Sequence, residues 1–107
     1  MRSGTETSLK FKAKVFYALS DPNRLKILEF LRDGEKCVCE IIPYLGLIQP
    51  VVSRHLKILK DAGIVKYRKK GTRRLYSVTD SRIYSIIDRV TPELVEMLTR
   101  RIIEQIT

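Results

Sequence analysis

Apolar side chains recur along this chain at helical spacing, change once to alternation, and return to helical spacing. Leu9, Ala13, Phe16 and Leu19 predict a first helix over about 8–19. Asp21-Pro22 then supplies a capping side chain followed by proline at the first helical position, where its missing N–H costs nothing. The second helix is predicted to run from Pro22 to about Asp33, with Leu25, Leu28 and Leu31 buried and Gly34 ending it. A short helix over Cys37 to Leu45 has Cys37 near its N-cap and Glu40 at the third position, and Pro43 keeps it short or bent. Gly46 gives a turn. Gln49-Pro50 opens the fourth helix, with Val52, Leu56 and Leu59 inward and Ala62-Gly63 at its end. Because proline disfavours helix for the residue before it, Gln49 is expected to act as the cap.

From Val65 the period is two. Val65 and Tyr67, then Tyr76 and Val78, flank a loop containing Gly71, the pattern of a two-stranded hairpin. Ile83, Ile86, Ile87 and Val90 restore helical spacing, and Thr91-Pro92 starts a last helix carrying Leu94, Val95, Met97, Leu98, Ile102, Ile103 and Ile106. The expected fold is mainly α with a two-stranded β wing, one domain over 1–107. Its helix-turn-helix lies at about 38–62 and its wing at about 64–79. The two terminal helical regions carry more apolar surface than a small monomer needs to cover its own core.

Charge sharpens this picture. In 107 residues, 21 lysines and arginines face 12 acids, a net charge of +9 that favours a polyanionic partner. Six of the nine residues from Lys66 to Arg74 are basic: Lys66, Arg68, Lys69, Lys70, Arg73 and Arg74. A hairpin that needed only solubility would intersperse signs, whereas a tip without an acid suits phosphates or a narrow minor groove. On the fourth helix Gln49, Ser53, Arg54 and Lys57 face away from the core. Glutamine and arginine can contact adenine and guanine edges with two hydrogen bonds each, so a second helix presenting them after a glycine turn fits the major groove of double-stranded DNA. His55, the only histidine, lies between Val51 and Leu59 on the helix edge, where a packed side chain is the ordinary reading.

Cys37 and Cys39 are the only cysteines, and two positions of separation cannot staple a fold. Thiols at a helix N-terminus ionise readily and become ligands for soft ions; redox sensing and an inert packing role are the other readings. No apolar stretch approaches a membrane span and the start is polar, so a cytoplasmic protein without a membrane partner is expected. Enzymatic use of Cys39 as nucleophile with His55 as base lacks an acid to orient the histidine and an oxyanion or phosphate loop, and the chain is read as no enzyme.

From Ala18 to Asp80 the sequence resembles the ArsR-type (ArsR/SmtB) winged-helix, metal-responsive repressors. The resemblance rests on the run Ala18-Leu19-Ser20-Asp21-Pro22-Asn23-Arg24-Leu25-Lys26-Ile27-Leu28, on Cys37-Val38-Cys39-Glu40, and on Gln49-Pro50-Val51-Val52-Ser53-Arg54-His55-Leu56-Lys57-Ile58-Leu59 with Asp61-Ala62-Gly63-Ile64-Val65. It implies a homodimer formed through the first and last helices, about 8–19 and 81–106. It further implies Gln49, Ser53, Arg54 and His55 at an operator, with the hairpin as wing. For Cys37 and Cys39 it implies binding of As(III), Sb(III) or a soft divalent metal as an effector that folding does not require. Ile42 stands where the arsenic-responsive branch has a third cysteine, and Ile48 where the family usually has a capping residue. Two alternatives remain at this stage: a regulator of this type with a redox signal or none, and a non-specific nucleic-acid or chromatin-binding module.

Overall fold

The computed structural model describes the backbone of residues 2–106 and the side chains of residues 4–106. Four helices, α1 (Arg2–Leu19), α2 (Pro22–Phe30), α3 (Val38–Leu45) and α4 (Gln49–Asp61), precede a hairpin of β2 (Val65–Lys70) and β3 (Arg73–Val78). A two-residue strand, β1 (Lys36–Cys37), lies before α3, and α5 (Arg82–Asp88) and α6 (Pro92–Ile106) complete the chain. The predicted helix order and the change of period are reproduced. α1 begins six residues earlier than its apolar positions indicate, because the polar stretch before Leu9 contains no proline to stop it.

Local chemistry explains the boundaries. Asp21 caps α2 by accepting from the backbone N–H groups of Asn23 at 2.8 Å and Arg24 at 3.2 Å, ahead of Pro22 at the first helical turn. α2 stops at Phe30, three residues short of expectation, and a turn carries the chain to Gly34. Gly46 closes α3 in the left-handed region at φ 67°, where a side chain would be strained. In the hairpin, Lys70 pairs with Arg73 across a two-residue loop whose first residue, Gly71, has φ 64°.

The core is the meeting place of α2, α3, α4 and the sheet: Ile27, Leu28, Ile41, Val52, Leu56 and Leu59 are fully or almost fully buried. Leu25, expected inside α2, is exposed, and Ile27 takes the interior place beside Leu28 and Leu31. The wing is also not an isolated pair of strands. β1 adds to β3 in the order β1-β3-β2, with Cys37 opposite Leu75 and Lys36 opposite Tyr76. The added strand joins the wing directly to the residue that starts α3.

The terminal helices are different. No residue of α6 is buried, and Phe11, Phe16, Val95, Met97, Leu98 and Ile102 are each about half exposed or more. Among the described residues no helix is long and apolar enough to cross a membrane.

Candidate nucleic-acid interface

Ile48 occupies the N-cap of α4 and offers no side-chain cap, which corrects the expectation that Gln49 caps it. Gln49 and Pro50 are the first two helical residues, and the Ile48 carbonyl accepts from Val51 and Val52. Proline at the second position leaves one fewer orphan N–H to satisfy, so the missing cap is less costly here. Gln49, Ser53, Lys57 and Lys60 then follow at spacings of four, four and three, which places them along one exposed stripe.

That stripe faces the wing across an open cleft of about 870 Å³. Tyr67, Arg74 and Tyr76, on one face of the hairpin, reach it. Tyr67 lies opposite Tyr76 with ring centroids 5.3 Å apart, and Arg74 stands over the Tyr67 ring at 5.0 Å while Lys60 approaches it at 5.5 Å from α4. Arg73 and Thr72 complete the rim at the loop end. Four cations, Lys57, Lys60, Arg73 and Arg74, line the cleft, and no carboxylate among the described residues does. A concave surface lined by one sign of charge concentrates counter-ions, and phosphate oxygens are the natural occupants.

Lys69 and Lys70 are exposed near the hairpin tip, and Arg54 is exposed on α4, all outside the cleft lining. Arg68 points to the opposite face of the sheet, with Leu75 across from it, and its guanidinium binds Glu35, Nε to Oε2 at 3.0 Å. That hydrogen bond holds the Glu35 carboxyl below its usual range. Arg68 is thus paired within its own chain while its side chain stays 58% exposed.

His55 lies at the junction of α4 with the start of α2. It is 6% exposed, and its Nδ1 lies 3.1 Å from Arg24 Nη1 and 4.0 Å from Asp21 Oδ1. The ring is packed against the start of α2. Burial lowers the His55 pKa; the Asp21 carboxylate opposes this, and Arg24 and Arg54 reinforce it. The ring is therefore neutral, with Nδ1 accepting from Arg24. In the unfolded chain the imidazole takes a proton near pH 6.5. As pH falls below that value the unfolded state binds the proton first, so stability is present above pH 6.5 and declines below it. We expect urea stability to fall between pH 7.5 and 5.5 by at most about 1.4 kcal/mol per pH unit from this group, and His55→Asn to remove that slope. Equal slopes in the two proteins would mean that another group titrates.

The two cysteines lie on the same cleft. Cys37 is buried and is the N-cap of α3: its Sγ accepts from the Cys39 N–H at 3.0 Å, while its own N–H donates to Glu40 Oε1 at 3.1 Å. This is a capping box with sulfur in the usual hydroxyl position. Cys39 is exposed and is joined to Cys37 by a disulfide. No group of three or more candidate metal ligands occurs among the described residues, and Ile42 lines the cleft beside the two cysteines. When reduced, the pair supplies two sulfur donors. That donor set suits a thiophilic ion whose remaining coordination is completed from outside the chain. Lys60, Tyr67, Thr72 and Tyr76 were absent from the sequence-derived interface; only Lys60 had a signal, its place on the Gln49 stripe.

A profile of the bacterial regulatory protein family named arsR matches residues 21–67. An uncharacterised HTH-type transcriptional regulator of Methanocaldococcus jannaschii is 52% identical over 71 residues, 65% of this chain and 80% of that protein. A "Probable mercury resistance operon repressor" of Streptomyces lividans is 46% identical over 65% of this chain and 56% of its own length, so this chain spans little more than half of that relative. Other relatives are cadmium and arsenical resistance regulators of staphylococci. Among solved structures, the homodimeric winged helix-turn-helix DNA-binding domain of a possible ArsR-family regulator from Mycobacterium bovis superposes with a TM-score of 0.73 at 29% identity. That superposition covers 94% of this chain and 89% of the other. The profile match over α2 to β2, the 52% identity and the shared fold together establish that the chain belongs to the ArsR family of winged helix-turn-helix transcriptional regulators.

Proposed function

We propose that this protein is a homodimeric repressor that reads a pseudo-palindromic DNA operator and is released from it by a thiophilic ion held at Cys37 and Cys39. The observation that carries this reading is the cleft: the polar stripe of α4, the cationic wing and the sulfur pair border one acid-free concavity. Gln49, Ser53 and Arg54 make the base contacts, with Lys57, Lys69, Lys70, Arg73 and Arg74 on phosphates. The two recognition helices of the dimer then lie about 34 Å apart, in successive major grooves. Cys37 touches both halves of this surface, since its backbone pairs with Leu75 of the wing and its sulfur caps α3. An ion such as As(III), Sb(III) or a soft divalent metal that takes this sulfur withdraws the cap, and the position of the helix-turn-helix relative to the wing changes with it.

The test follows the anisotropy of labelled DNA from the gene's upstream region, bound to reduced protein, as arsenite is added. We expect preference for this DNA over random duplex, release at about one As(III) per chain, and no release from Cys39→Ser. Equal binding to random duplex overturns sequence-specific reading. Complexes that persist in excess As(III), Hg(II) and Cd(II) overturn the effector assignment.

A further inference from the structure

We propose that the Cys37–Cys39 pair is an exchange site for small anionic thiols, opened at Cys39, and that the resulting adduct occupies the phosphate-binding cleft and excludes DNA. The second half rests on the DNA-binding function proposed above; the first does not.

The two sulfurs are chemically unequal. Cys37 is 3% exposed and its Sγ is held by the Cys39 N–H at the start of α3, whereas Cys39 is exposed to solvent on the cleft. Thiol–disulfide exchange requires the incoming sulfur to approach along the existing S–S axis, so access selects the sulfur attacked. A thiolate RS⁻ attacks Cys39 Sγ, and a new S–S bond forms between R and Cys39. The Cys37–Cys39 bond breaks and its electron pair remains on Cys37 Sγ, where the backbone N–H already points and stabilises the developing charge. The RSH proton goes to solvent. No further oxidant or reductant is involved, because the protein disulfide supplies the oxidising equivalent.

The cleft then selects the R group. Lys60, Arg73 and Arg74 stand on the same concavity as Cys39, with no carboxylate among its described lining residues. Lys57 is also there, although Asp61 holds its ammonium at 2.9 Å. An approaching anion is attracted and an approaching cation repelled, an effect that salt weakens. A small thiol bearing carboxylates therefore fits, and once attached it competes for the cations that face Gln49 and Ser53.

The adduct on the native pair is short-lived, since Cys37 can attack it in return. Cys37→Ser traps it and keeps an oxygen at the N-cap. The full-length variant is treated with glutathione disulfide or with cystamine, and adduct formation is followed by intact mass and peptide mapping. Each rate is divided by the rate on the same chain unfolded in urea. We expect the adduct on Cys39, a normalised rate at least about fivefold higher for glutathione disulfide, and loss of that preference in 1 M salt or in Cys37→Ser/Lys60→Ser/Arg74→Ser. The parallel variant Cys39→Ser is expected to leave Cys37 unreactive until urea is added. Equal normalised rates, a cation preference, or native labelling of Cys37 as fast as Cys39 overturns the exchange site. If the adduct forms as expected but DNA affinity is unchanged, the exclusion of DNA is overturned. Failure of the unmodified reduced protein to bind any DNA would instead remove the underlying function and leave the exchange chemistry standing.

Discussion

Replacing Arg24 with methionine is expected to destabilise the protein by about 3 kcal/mol, a large share of a small domain's total stability. Arg24 is 5% exposed and its guanidinium acts as a three-way connector. Its Nε donates to the Ala18 carbonyl at 2.7 Å, its Nη2 to the Tyr17 carbonyl at 3.2 Å, and its Nη1 to His55 Nδ1 at 3.1 Å. The end of α1, the start of α2 and the middle of α4 therefore meet at one side chain. Methionine keeps much of the apolar stem but donates nothing. Tyr17 O retains the Ser20 N–H at 3.1 Å and the Ser20 hydroxyl at 2.6 Å, so its loss is tolerated. The Ala18 carbonyl and His55 Nδ1 lose their partner inside the fold, at about 1–3 kcal/mol each. Arg24→Lys should recover only part, because an ammonium cannot reproduce the planar fork. Urea unfolding followed by circular dichroism measures the shift, and a His55→Leu cycle should give a coupling of about 1–2 kcal/mol. A loss below about 1 kcal/mol for Arg24→Met would mean that α1 and α4 are held together by apolar packing alone.

This connector also marks where sequence reasoning reached its limit. Helix order was legible because the apolar positions of α2, α4 and α6 repeat at helical spacing and proline follows Asp21 and Thr91. Thr91 Oγ1 indeed accepts from the Leu94 N–H at 3.2 Å. The hairpin was legible from alternation around Gly71. β1 was not, because two residues carry no period; its pairing depends on β3, almost forty positions later. The contact between His55 and Arg24 was not legible for a related reason. A polar residue on a helix edge can face solvent or a buried partner, and the partner here is 31 residues away. Arg68 illustrates the converse case: a basic run reads as one positive surface, but strand alternation divides it between two faces and one of them holds Glu35. Cysteine placement was legible from the helix start that contains it. The asymmetry of the pair, one sulfur buried and one exposed, emerges only when β1 seals Cys37 against Leu75.

The other large effect is expected at the far end of the molecule. Leu98→Asp/Ile102→Asp should convert the protein to a monomer and lower its operator affinity at least about 100-fold, or about 2.8 kcal/mol. Leu98 is 50% and Ile102 58% exposed, four residues apart on one side of α6, in a helix with no buried residue of its own. Phe11 and Phe16 on α1 are 64% and 60% exposed. Apolar surface on two terminal helices, rather than scattered singly, is the pattern of a self-complementary interface, where each face is covered by its copy in a second chain. A carboxylate buried there without a partner loses its hydration and gains nothing in return, so two per chain, doubled by symmetry, oppose association strongly. The DNA effect follows from geometry. Joined recognition helices engage the second half-site at the high effective concentration set by the first, and separated chains lose that advantage although every base contact is intact. Sedimentation equilibrium measures the mass, and anisotropy at matched salt measures the affinity. If the variant sediments as a dimer, the interface lies elsewhere; if it is monomeric yet binds the operator as tightly as the parent, a single recognition helix and wing suffice.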